Sequence, residues 1–135
     1  MKIVDDTKLN ELDALAKVVS TVMSTQIAAH LLHLKITGEG SYARHIALNE
    51  YYDAAPDLAD SIAEEVQGHY GKLLDIKAPV IEVPETLEEF VSQLDNLYII
   101  TAEAQMATKC SAIINTLDTI KTQINNTKYK LLFLR

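Results

Sequence analysis

The sequence predicts an all-α fold, a four-helix bundle in one domain, and three observations carry that expectation. Only four Gly and three Pro occur in 135 residues, too few punctuators for a chain of short strands. Apolar residues recur at the three-and-four spacing of a helix face over long stretches. Residues 71–85 break that rhythm once, with two prolines and no helical period, as a long connector would. A 48% hydrophobic content in a chain of this length suits a single packed core.

The first helix is expected over about 7–36. Leu9, Leu12, Leu15, Val19, Val22, Met23, Gln26, His30 and His33 follow one face. Val18, Ile27, Leu31 and Leu34 mark a second. A helix apolar on two sides is buried on two sides, which in a small domain points to a contact between subunits.

Thr37-Gly38-Glu39-Gly40 ends this helix, and Ser41 is the expected N-cap of the next. The second helix covers about 42–70 and stops at Gly68 or Gly71. Pro56 lies inside it and predicts a kink or a local break, because proline removes a backbone hydrogen bond and crowds the preceding turn. The connector's residues 72–85 extend roughly 46 Å at full stretch, against roughly 43 Å for the second helix. It reaches back along the whole bundle, which makes the second and third helices parallel.

Thr86-Leu87-Glu88-Glu89 is a capping box, with Thr at N-cap and Glu at N3. The third helix is expected over about 87–105 and the fourth over about 109–133. The break falls between Gln105 and Lys109, where no Gly or Pro marks it. Ile113, Leu117, Ile120 and Ile124 form the buried stripe of the fourth helix.

The net charge is −7, which argues against direct DNA binding, since phosphate contact needs a basic surface. The acid is uneven. Residues 1–70 carry 5 basic and 11 acidic groups, a net of −6, and residues 71–135 carry 7 and 8, a net of −1. Between His45 and Gly71 stand six Asp or Glu and no Lys or Arg, a field that attracts cations, although a solvated face has the same composition. Cys110 is the single cysteine, so no intrachain disulfide forms and a reducing cytoplasm fits. The start MKIVDDTK does not read as a signal peptide, and no apolar run of ~18 residues predicts a membrane span.

Chemistry concentrates in five side chains: His33, His45, Asn49, Asp60 and Glu64. The steps between the last four are 4, 11 and 4, whole helical turns that place them on one stripe. Two imidazoles, an amide and two carboxylates suit iron, zinc or manganese. In an antiparallel hairpin centred near Glu39, His33 and His45 become neighbours. Asp60 and Glu64 lie about 16 Å further down the axis, too far for one ion. A two-fold axis near Ala54–Ala55 would bring them to the histidines of a second copy, with two equal sites per dimer.

These residues resemble the Dps-like branch of the ferritin superfamily. That family has a His on its first helix, then His-x-x-x-Asp and Asp-x-x-x-Glu on its second. The counterparts here are His33, His45-Ile-Ala-Leu-Asn49 and Asp60-Ser-Ile-Ala-Glu64. The segment SYARHIALNEYYDAAPDLADSIAEEVQGHYG and the closing NNTKYKLLFL are similar to short Dps-like proteins encoded by tailed phages. The resemblance implies a ferritin-like bundle running up-down-down-up and a dodecameric shell. It also implies a ferroxidase site between two-fold-related subunits, with Fe(II) oxidised by peroxide or oxygen and stored as mineral. The sequence departs from the family at Asn49, where an Asp is usual, and at Leu34, where many members have Trp. It also lacks their Lys-rich terminal arm.

The alternatives stay open. Each histidine has a core reading, and for His30 the core is the favoured place. Asp60 and Glu64 taken alone read as a solvated face, and Asn49 as a structural hydrogen-bonder. Tyr51, Tyr52 and Tyr70 read as packing or interface residues, His69 as a surface residue and Cys110 as a small buried hydrophobe. The second functional reading is a structural or binding protein of a phage with a degenerate site on the same scaffold.

Overall fold

Four helices, α1 (Asp6–Lys35), α2 (Ser41–Tyr70), α3 (Leu87–Ala107) and α4 (Ser111–Phe133), make up the fold. The computed structural model describes residues 6–134, with side chains from 11 to 134. Among the described residues there is no strand. Leu9 belongs to α1, but its side chain lies outside the described residues.

Each helix packs on two others. α1 lies against α2 and α3, and α4 against the same two, while the pairs α1–α4 and α2–α3 make no close backbone approach. The helices therefore occupy the corners of a square. The core within it is built from Leu15, Val19, Val22, Leu48, Tyr51, Ile62, Phe90, Leu94, Leu97, Ile113, Leu117, Ile120 and Ile124, all fully buried. Tyr51 and Phe90 meet edge to face, with centroids 5.8 Å apart. The buried stripe of α1 runs on through Thr25, Ala29 and Leu32 rather than through Gln26, His30 and His33. The helix phase is rotated by one residue from the expected stripe, which leaves His30 exposed and corrects its expected place in the core.

The hydrogen bonds at the helix ends explain the path of the chain. The Tyr70 hydroxyl donates to Glu11 and bonds Thr108 at 3.1 Å, joining the end of α2 to the start of α1 and the end of α3. From there the connector climbs α1. The Leu74 amide donates to Gln67 Oε1 at 2.9 Å, and Ser20 donates to the Lys77 carbonyl at 3.0 Å. Lys35 at the far end of α1 pairs with Glu85 at 3.4 Å. The connector thus delivers α3 to the end of the bundle where α2 begins.

Local signals account for most of the ends. Thr86 accepts from the Glu89 amide at 3.2 Å, while Glu89 reaches back to the Glu85 amide at 2.7 Å. Gly71 closes α2 in the left-handed conformation, at φ 66°, where glycine carries no Cβ penalty. Two expectations are corrected. Gly40, not Ser41, is the N-cap of α2, and it too is left-handed. Pro56 sits inside α2 without interrupting it, on the exposed side, where its ring projects away from the core. The turn between α3 and α4 is 108–110. Thr108 makes it by leaving helical dihedrals and accepting from the Cys110 amide at 3.2 Å.

One segment, Glu11–Lys35, is long and apolar enough by composition to cross a membrane, and half of it is buried inside the bundle. That burial is what a core helix requires. Among the described residues no other helix meets the same criterion.

Candidate functional site

The α1–α2 hairpin brings His33 and His45 together. Their rings stack, with centroids 3.7 Å apart and planes 22° from parallel. His45 Nδ1 lies 3.1 Å from the His33 backbone carbonyl. A carbonyl only accepts, so Nδ1 of His45 carries the hydrogen and Nε2 keeps a bare lone pair. Ligating histidines commonly show this arrangement, with one ring nitrogen tied to a carbonyl and the other free for an ion.

Tyr52, one helical turn beyond Asn49, forms the other wall. Its ring stacks on His30 at 4.1 Å and stands edge-on to His33 at 5.1 Å. Its hydroxyl donates to Asn49 Oδ1 and lies 3.4 Å from His33 Nε2. Asn49 in turn donates from its amide nitrogen to Asp53 Oδ2 at 2.9 Å. His33 Nδ1 is buried and has no hydrogen-bond partner.

Burial, and after it the neighbouring His45 and His30, hold the His33 pKa below its ordinary 6.5. Asp53 and the His30 carbonyl act in the opposite sense, but no hydrogen bond of ordinary geometry joins that carbonyl to Nδ1. The balance favours a neutral imidazole, the form that binds metal.

Asp60 and Glu64 are exposed on α2, and the structure does not bring them to the histidines of the same chain. Among the described residues no group of three or more His, Cys, Asp or Glu gathers around one point. One chain therefore does not gather the five expected ligands, as the 16 Å spacing argues. Tyr52 and Asp53 complete the cluster. Their signal in the sequence was the three- and four-residue spacing from Asn49, which places all three side chains on neighbouring positions of one helix.

His69 is exposed, as expected, with Cys110 Sγ 3.8 Å from its Nδ1. Cys110 is half-buried rather than enclosed. Tyr51 packs in the core and bonds Thr25 at 2.6 Å. A separate cavity of about 770 Å³ opens between α1, the connector and α3, lined in part by Ser20, Ser24, Lys77, Gln93 and Asn96. It contains none of the candidate ligands.

A family model described as a family of unknown function (DUF5856) matches residues 33–131, a span that includes all five candidate ligands. No curated protein and no solved structure matches the chain.

Proposed function

The chain belongs to the DUF5856 family, and we propose that it is a ferritin-like metal-binding protein whose centre is completed between two two-fold-related copies. The observation that carries this reading is the pairing of His33 with His45, whose rings stack at 3.7 Å between centroids, with His45 Nδ1 tied to the His33 carbonyl. His33 and His45 bind the cation from one copy. Asp60 and Glu64, exposed further down the same stripe of α2, supply negative oxygen ligands from the other. The order of helix contacts and the climbing connector suit a ferritin-like up-down-down-up bundle.

Iron is the substrate in the Dps-like form of this proposal. Fe(II) is held by imidazole and carboxylate, gives an electron to peroxide or oxygen, and is stored inside a dodecameric shell. The chain contributes position and charge, and the redox chemistry belongs to the ion. Zinc or manganese would occupy the same donors without that turnover.

A second reading has its own support. Asn49 is held by Tyr52 and Asp53, so its amide is engaged within the chain rather than offered to an ion. On that ground the protein is a structural or binding module of a phage with a degenerate site. Anaerobic Fe(II) titration followed by peroxide distinguishes the two. The first reading predicts Fe(II) binding and oxidation that His33→Ala and Glu64→Ala each abolish. The second predicts parent-like behaviour in both variants. Asn49→Asp, which restores the family's carboxylate, raises oxidation if the site is a weakened ferroxidase.

A further inference from the structure

The cavity between α1, the connector and α3 plays no part in the metal-binding reading, and the chain's own hydrogen bonds frame it. The connector is pinned on both sides. Ser20 of α1 donates to the Lys77 carbonyl at 3.0 Å, and Gln93 of α3 donates to the Glu82 carbonyl at 2.9 Å. The volume of about 770 Å³ falls within the roughly 300–1,000 Å³ of small-molecule sites, which are usually formed before the ligand arrives.

Counting hydrogens shows what the α1 wall offers. Ser20 gives its hydroxyl hydrogen to Lys77, Thr21 gives its own to the Lys17 carbonyl at 2.7 Å, and Ser24 to the Thr21 carbonyl at 3.0 Å. A hydroxyl has one hydrogen, so these three oxygens keep only lone pairs and call for donors. On the α3 wall Asn96 is exposed, and its amide both donates and accepts. Ile100 and Pro84, both buried, add apolar surface.

Charge is divided along the same axis. Lys17 lines the cavity toward the start of α1, and Glu82 and Glu89 line it toward the start of α3. Lys77 is paired with Asp75 at 2.7 Å, and Asp13 acts on it too. Among the described residues Lys17 has no carboxylate within ion-pair distance, and Glu82 has no cation. The lining part of α1, from Lys17 to Thr25, rises about 12 Å. An extended peptide of four residues spans about 13 Å.

We infer that this cavity binds a short free peptide of about four residues, its carboxylate toward Lys17 and its ammonium toward Glu82 and Glu89. The peptide amides donate to the oxygens of Ser20, Thr21 and Ser24. Its carbonyls accept from Asn96, and small apolar side chains lie on Ile100 and Pro84. The division of charge fixes the direction in which the peptide lies.

Tetra-alanine is the probe, titrated into the 15N-labelled full chain and followed by 15N–1H NMR. Saturable shifts are expected along 17–25, 77–84 and 92–100. N-acetyl-tetra-alanine and tetra-alanine amide, each lacking one charge, should bind about two- to fivefold more weakly, the worth of a partly exposed ion pair. Lys17→Gln should weaken tetra-alanine by the same factor and leave the amide form unchanged. Glu82→Gln keeps the carbonyl that holds Gln93; it should weaken tetra-alanine and leave the acetylated form unchanged. Both side chains are exposed, so neither variant threatens the fold. No saturable shift, shifts centred on another face, or equal affinity for all three peptides would overturn the proposal. None of these outcomes bears on the histidine pair, which lies in the α1–α2 hairpin.

Discussion

The His33 and His45 imidazoles stack at 3.7 Å between centroids, although twelve residues separate them in the sequence. Two cationic rings at that distance would repel, so His45 beside it disfavours protonation of His33. Burial first, and His45 next, lower the His33 pKa. A histidine harder to protonate when folded makes the unfolded chain the better proton binder, and stability rises with pH wherever that holds.

Stability should therefore fall as pH drops through the ordinary value of 6.5, and level off once the folded ring also titrates. His33→Gln should flatten that part of the profile. Urea midpoints from pH 8 to pH 5, compared between the two proteins, measure it. Parallel profiles would show that His33 contributes nothing to the pH dependence.

The Tyr51 hydroxyl meets Thr25 at 2.6 Å, and Thr25 in turn donates to the Val22 carbonyl at 2.9 Å. Tyr51 is therefore the donor in their shared bond. Burial raises its pKa well above the ordinary 10. Tyr51→Phe removes one buried hydrogen bond, leaves Thr25 satisfied and should cost about 1 kcal/mol. Chemical denaturation checks the value.

Phe90 fills the space between Tyr51 and the other helices and is fully buried. Phe90→Ala opens a cavity on the bundle axis and should cost about 3–5 kcal/mol. A loss below about 1 kcal/mol would mean that the core collapses around the gap.

Pro56 deprives the Tyr52 carbonyl of its helical donor, four residues on. Pro56→Ala restores that bond on the exposed side of α2 and should stabilise the chain by up to about 3 kcal/mol. Thermal unfolding would show a higher midpoint. A lower one would mean that proline shapes α2 in a way its continuity conceals.

Helices were legible where the signal is local. Thr86 and Glu89 marked the start of α3 because the capping box is a four-residue motif, and Gly71 marked the end of α2. Val19 and Val22 lie in the core as their spacing suggested. The α1 stripe drifted at Gln26 because 3.6 residues per turn does not fix a face over eight turns. Thr25 and Leu32 turned inward, and His30 turned out to stack on Tyr52. The Ser41 cap failed because Gly40 can take the left-handed conformation that turns the chain into α2.

At the site, the nearness of His33 to His45 followed from counting outward from the hairpin centre, since a short turn enforces symmetry. Spacing put Tyr52 and Asp53 beside Asn49, but the hydrogen bonds among the three depend on rotamers, which composition and spacing do not encode. Asp60 and Glu64 sit on the predicted stripe, but whether they are ligands depends on a second copy and not on anything within one chain.

The most direct measurement is native mass spectrometry of the full chain with and without Fe(II), which reads assembly mass and metal stoichiometry together. The account predicts an even-numbered assembly, a dodecamer in its Dps-like form, that takes up Fe(II) in proportion to its two-fold contacts and loses that uptake in His33→Ala. A monomer, or an assembly with the same mass in Fe(II) as without it, would contradict it.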